Sequence, residues 1–163
     1  MDFPLEKARY LMNLALKEAG LGAKKGEVPI GAVLWDLKHR QILAKAHNQC
    51  IALKDPSAHA EILALRQAGE KINNYRLLNS VMVVTLEPCI MCLGALVQAR
   101  VSGLIFGARD PKAGAIYSRL DYPSLKWLNH KFWVIEGVLS QEAGGLLKAF
   151  FLRKRKGEVP KWS

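Results

Sequence analysis

Four side chains in two short stretches could do chemistry together. His59 and Glu61 stand in His59-Ala60-Glu61, and Cys89 and Cys92 stand in Pro88-Cys89-Ile90-Met91-Cys92. Zinc takes nitrogen and sulfur ligands, four in a structural site and three beside an open position in a catalytic one. His59, Cys89 and Cys92 make three, and no fourth ligand stands at a matching spacing. Glu61, two residues past His59, is close enough to serve a water at that open position without being a ligand. Zinc lowers the pKa of water from about 15.7 toward about 7, and a carboxylate beside it can take up and return protons. Each half has a bland reading: Cys-x-x-Cys suits a redox pair or half of a zinc knuckle, and a lone His suits a core. The combination favours a catalytic zinc, one per chain.

The elements around these residues must bring them together. Residues 5–24 carry Leu5, Ala8, Leu11, Met12, Ala15 and Ala19 at helical spacing, with Gly22 and Gly26 to end the helix. Residues 30–35 and 41–47 read as strands joined by a hairpin over 36–40. Asp55-Pro56-Ser57 reads as a turn with Ser57 as N-cap, placing His59 and Glu61 in the first turn of a helix to about Lys71. Residues 81–86 are apolar and β-branched, as in a central strand. Pro88 then opens a helix with Cys89 and Cys92 in its first turn. Three residues apart, the two thiols share one helical face. Open helix starts favour thiolate over thiol.

Further on, residues 103–107 predict a strand, 108–117 a loop, 124–128 a short helix and 132–138 a fifth strand. Ser140 predicts the cap of a last helix over about 141–156. The alternation implies an α/β fold, a sheet sandwiched between helices. Gly-Glu-Val-Pro occurs at 26–29 and at 157–160, and nothing around either copy repeats.

Composition narrows the partners. With 163 residues, the chain reads as one domain, 1–163, with half its residues hydrophobic. The net charge of +10 points to a polyanionic partner. Three cysteines, two of them in the metal motif, make no disulfide framework and suit a reducing cytoplasm. No signal peptide is read in the charged first 25 residues, and no apolar run is long enough to span a membrane. Lys148, Arg153, Lys154, Arg155 and Lys156 accompany Phe150 and Phe151 near the C-terminus. They suit a solvated helix end, or phosphate contacts with base stacking; the overall charge favours the second. Asn48, after a strand, could read a purine edge or cap a turn.

Over nearly its whole length the chain resembles the bacterial TadA-type tRNA adenosine deaminases. The residues that carry the resemblance run from Glu27 to Val33, Asp55 to Glu61, Asn74 to Leu77, Leu86 to Ala95 and Phe106 to Gly114. Asn129-His130 and Phe150-Phe151 complete it. The resemblance implies the cytidine deaminase-like fold, a three-layer α/β/α sandwich with a five-stranded mixed sheet. It implies a homodimer that converts the wobble adenosine of a tRNA anticodon stem-loop to inosine. It implies zinc on His59, Cys89 and Cys92 and proton transfer by Glu61. Substrate contacts follow at Asn48, Ile30, Asp110, Lys112, Phe150, Phe151, Arg153 and Arg155. The chain departs from the family at Ser118-Arg119-Leu120-Asp121, at Tyr122, Pro123 and Trp127, and at Ala143, where a Cys is frequent. Two other classes share parts of this pattern. A deaminase of a free base or nucleoside, such as guanine or cytidine, needs the zinc motif but no basic surface. A non-enzymatic zinc-stabilised RNA-binding protein needs the ligands and the charge but not Glu61.

Overall fold

A strand covered by helices on both faces must be apolar on both, and the central strands of this chain are. The computed structural model describes residues 2–159. In order they form α1 (Leu5–Lys24), β1 (Gly31–Asp36), β2 (Gln41–His47), α2 (Ala60–Ile72), β3 (Ser80–Leu86), α3 (Ile90–Ala99), β4 (Gly103–Ala108), a 3-10 turn (Tyr122–Ser124), β5 (Trp133–Ile135) and α4 (Ser140–Arg155). The strands lie in the order β2-β1-β3-β4-β5. β1 is antiparallel to both neighbours, while β3, β4 and β5 are parallel.

Alternate strand residues feed two cores. Ala32, Leu34, Met82, Val84, Leu104 and Phe106 pack with α2 and α3 on one face. Val33, Val81, Val83 and Ile105 pack with α1 on the other. Each fully buried Val or Leu contributes roughly 1.5–3 kcal/mol relative to exposure. α1 lies so close that a Cβ on Gly31 would sit 1.9 Å from the Ala15 carbonyl oxygen, so only glycine fits at the start of β1. α4 covers the same face as α1, with Ala143 against Gly107. Among the described residues no helix is long and apolar enough to cross a membrane.

The register gathers the candidate residues. Gly31 pairs with His47, Ala32 with Val84, and Leu86 with Ala108. The start of β1 and the ends of β2, β3 and β4 therefore lie at one end of the sheet. Ile30, Asn48, Pro88-Cys89 and the Arg109–Lys112 turn all emerge there, and ligand sites of open α/β sheets lie at the carboxyl ends of parallel strands.

Several expected boundaries differ from the structure. Ser57 does not cap α2: its N–H and hydroxyl both donate to Asp55 Oδ1 (2.8 and 2.7 Å), closing the turn on itself. His59 is the cap residue instead. Pro88 stands before Cys89, the cap residue of α3. No helix forms over 124–128. The turn at Tyr122–Ser124 ends early because Tyr122 is drawn inward, stacked on Phe132 with centroids 4.5 Å apart and accepting the Phe132 N–H at 2.7 Å. β5 keeps only three of the seven expected residues, because Gly137 adopts φ +81° and the Glu136 carboxylate is bound by Arg109. Leu139, with φ 52°, precedes α4, so Ser140 is its first residue and not its cap. Pro160, the end of the second Gly-Glu-Val-Pro string, lies outside the described residues.

Candidate active site

His59 and Cys89 each occupy the cap position of a helix, and neither makes a side-chain cap hydrogen bond. Both candidate ligand-bearing helices therefore bring partially positive N-terminal ends to the same place. Cys92 follows one turn into α3 and is fully buried. The ligand atoms of His59, Cys89 and Cys92 lie within 4.8 Å of one another. His59 Nδ1 is 3.6 Å from the sulfur of each cysteine. Tetrahedral bonds of about 2.3 Å to sulfur and about 2.0–2.1 Å to nitrogen would place those atoms about 3.6 Å apart. The donor set and its spacing therefore fit a tetrahedral zinc with three protein ligands.

Electrostatics in the cluster follow from crowding. A hydrogen bond from Cys92 holds the Cys89 thiol at about 4, against burial and with help from His59. Cys92, which donates that bond and is buried, is pushed far up. Cys89 is thus the first of the pair to ionise, and a cation between them would favour thiolate on both. The same contact with Cys89 raises His59. Burial raises Glu61, which is 4% exposed. Its Oε2 has no hydrogen-bond partner among the described residues. A buried, unpartnered carboxylate oxygen beside three metal-ligand atoms is a costly arrangement for a merely structural residue.

The other sequence-predicted residues divide by location. Asn48 is buried, and its Oδ1 accepts the Ala60 N–H at 2.8 Å. It supplies across the chain the cap that α2 lacks locally, and its amide NH2 is the end it can offer a ligand. The Ile30 carbonyl accepts the Asn48 N–H at 3.1 Å. Asp110 Oδ1 accepts the N–H groups of Lys112 and Ala113 (3.0 and 3.3 Å), and Lys112 is exposed on that turn. Phe150, a predicted substrate contact, is 3% exposed and meets Phe151 edge to face at 5.4 Å. Its ring is a core ring, so Phe151, 38% exposed, is the one available for stacking. Arg153 and Arg155 are exposed on the last turn of α4, and Arg153 pairs with Glu158 at 3.5 Å. His130 Nε2 donates to the Val101 carbonyl at 2.7 Å, a structural bond.

Two buried carboxylates flank the site and were not singled out from sequence. Glu27 accepts the N–H groups of Ile51 and Ala52 (2.9 and 3.2 Å), fixing the segment after Asn48. Glu87 takes five donors from the segment 110–118. Burial alone would raise its pKa, but the bonds from Ser118, Tyr117 and Asp110 hold it below the ordinary carboxylate value. The available signal was an acidic residue directly after an apolar strand, where only a partnered charge is tolerated.

Comparison with known proteins agrees with this geometry. The family model of MafB19-like deaminases matches residues 6–155. Fold and site together thus define a deaminase of the cytidine deaminase-like class. The tRNA-specific adenosine deaminase of Haemophilus influenzae is 45% identical, over 95% of this chain and 87% of its own. That of Bacillus subtilis is 44% identical, over 89% of this chain and 90% of its own. A solved structure from work on A-to-I editing by tRNA:A34 deaminases at the wobble position superposes with a TM-score of 0.81 at 39% identity, over 85% of this chain and 99% of that one. The chain belongs to the tRNA-specific adenosine deaminase family.

Proposed function

We propose that this protein hydrolytically deaminates adenosine to inosine at the wobble position of tRNA, acting as a cytoplasmic, zinc-dependent homodimer. The observation that carries the reading is the buried Glu61, with an unpartnered Oε2, beside the His59, Cys89 and Cys92 cluster at two helix starts. His59, Cys89 and Cys92 hold one zinc per chain. Zinc in that place supplies a Lewis acid that makes water a nucleophile near neutral pH.

The chain's own residues do the rest. Glu61 takes a proton from the attacking water and delivers it to adenine N1, then takes the proton of the hydroxyl newly formed on C6 and delivers it to the amino group, which leaves as ammonia as the C6 carbonyl forms. A positioned acid–base group of this kind contributes typically about 10²–10⁴ in rate. The Asn48 amide NH2 and the wall formed by Ile30 orient the base. Asp110 and Lys112 contact the nucleotide backbone. Phe151 stacks on a neighbouring base, and Arg153 and Arg155 meet phosphates. The target base must leave its stack at a cost of roughly a few kcal/mol, least in a single-stranded loop. A groove of about 800 Å³ between α2 and α3, lined by Leu65, Tyr75, Leu77 and Ala95, offers an apolar face for the second copy.

The test is an assay of purified protein on an anticodon stem-loop RNA and, in parallel, on free adenosine, guanine and cytidine, with zinc measured per chain. The expected result is inosine in the RNA, no turnover of the free compounds and about one zinc per chain. Each phosphate met by a cation should add about −0.7 to the slope of log K against log salt. Turnover of guanine or cytidine with the stem-loop untouched overturns the reading in favour of a free-base enzyme. RNA binding with no turnover of any substrate overturns it in favour of a binding protein.

A further inference from the structure

Glu87 stands two residues before Cys89, yet its carboxylate bonds go to the segment 110–118 and not to His59, Cys89 or Cys92. Oε1 accepts the N–H groups of Ile116, Tyr117 and Ser118 at 3.1, 2.7 and 2.9 Å. Oε2 accepts the Asp110 N–H at 2.9 Å and the Ser118 hydroxyl. The residue is only 2% exposed. The segment closes around it so tightly that a Cβ on Gly114 would lie 2.3 Å from Oε2. A further bond, from Ala115 N–H to the Pro88 carbonyl at 2.8 Å, ties the same segment to the residue next to Cys89.

This segment has little else of regular structure to hold it. Between the end of β4 and the turn at Tyr122 it forms no helix or strand, and four of its N–H groups, those of Asp110, Ile116, Tyr117 and Ser118, find their acceptor in one carboxylate. Charge-assisted bonds of this kind are roughly twice as strong as neutral ones. Five donors on two oxygens also fix the segment's direction, not only its distance. The segment begins with Asp110 and Lys112, at the same end of the sheet as the metal ligands.

We propose that Glu87 is a positioning residue for substrate: its carboxylate sets the segment 110–118 as a rigid wall of the site, registered to the ligand-bearing helix α3 through Pro88. The proposal rests on the reading of the site as one for an RNA adenosine. It assigns Glu87 no contact with the substrate or the metal. Its effect passes through the placement of Asp110 and Lys112.

Glu87→Gln tests it in the full-length, zinc-loaded protein. The amide oxygen can keep the three bonds made by Oε1, while its NH2 faces the Asp110 N–H, which then lacks an acceptor. Ser118→Ala, which removes one donor and leaves the carboxylate, is the milder second variant. Three quantities are read: KM and kcat on the stem-loop, hydrogen exchange at the amides of Asp110, Ile116, Tyr117 and Ser118, and the visible spectrum of the cobalt-substituted protein. The expected result is a KM raised on the order of ten- to a hundredfold with kcat much less affected. Exchange should quicken at those four amides, with the cobalt spectrum unchanged and the effects smaller in Ser118→Ala. The proposal is overturned if both variants keep wild-type KM and amide protection. It is equally overturned if the cobalt spectrum shifts and kcat falls at constant KM, since Glu87 would then act on the metal centre. A wild-type protein that ignores the stem-loop and turns over a free base removes the functional reading instead. Amide exchange, and KM on that base, then decide the role of Glu87.

Discussion

Glu61 and Glu87 stand on the near sides of two ligands, one two residues after His59 and the other two residues before Cys89. Both are almost fully buried, and the fold treats them in opposite ways. Glu61 has an oxygen with no hydrogen-bond partner, and burial raises its pKa. Glu87 has five donors, and these bonds overcome burial and lower its pKa. A buried carboxylate without partners costs stability, whereas one accepting several backbone N–H groups organises the chain around it. On the proposed function, the difference separates a group kept available for chemistry from a group committed to architecture.

The largest expected effect comes from breaking the comparison at Glu61. Glu61→Gln should lower turnover by on the order of 10²–10⁴ while leaving zinc content intact. Its unfolding midpoint should stay equal to wild type or rise, because a neutral amide removes a buried carboxylate with one oxygen left unpartnered. Single-turnover assays, metal analysis and calorimetry check this together. A variant that loses both its metal and its stability would make Glu61 structural, and the contrast with Glu87 would collapse.

The same contrast explains what could be read in the sequence. The convergence of His59, Cys89 and Cys92 is legible because metal chemistry restricts residue type and spacing. Helix α1 is legible because its apolar period is uninterrupted, and its observed bounds are those expected. The start of α2 is not, because its cap function comes from Asn48, twelve residues away, while Ser57 is spent in its own turn with Asp55. The shortness of β5 depends on an ion pair across 27 residues, Arg109 to Glu136. The pull on Tyr122 depends on Phe132. Glu87 is the clearest case. Its partners lie 23 to 31 residues further on, and no local pattern announces that a loop will fold around it. Of Phe150 and Phe151, helical period alone does not say which ring is inside; packing buries Phe150.

An intermediate effect tests how tightly the wall is wrapped. At Gly114 an added Cβ would lie 2.3 Å from Glu87 Oε2 and 2.7 Å from the Asp110 carbonyl oxygen. Gly114→Ala should therefore cost about 1–3 kcal/mol, as overpacking does, and should leave zinc content unchanged. Urea unfolding measures it. An unchanged midpoint would mean that the segment can step back from the carboxylate freely, and that Glu87 holds less than its five bonds suggest.

The smallest effect belongs to the outer face of the same wall. Arg109 donates to both oxygens of Glu136 (2.7 and 2.8 Å), and its guanidinium lies 5.4 Å from the centre of the Tyr117 ring. Both partners of the pair are well exposed, so water and salt screen it, and exposed pairs contribute little. The pH dependence has a definite sign. The hydrogen bonds from Arg109 lower the Glu136 pKa against a smaller opposing effect of burial. A carboxylate whose folded pKa is depressed adds stability above its unfolded pKa, and that stability fades as pH falls through the folded value. Arg109→Ala should therefore lower the urea midpoint slightly near neutral pH, by less than Gly114→Ala does. The difference from wild type should vanish in acid, below the folded pKa of Glu136, and shrink at molar salt. A deficit that persists in acid and in salt would mean that Arg109 acts through its packing on Tyr117, which would make the outer face of the wall a packed contact and extend the architecture organised by Glu87 beyond its own hydrogen bonds.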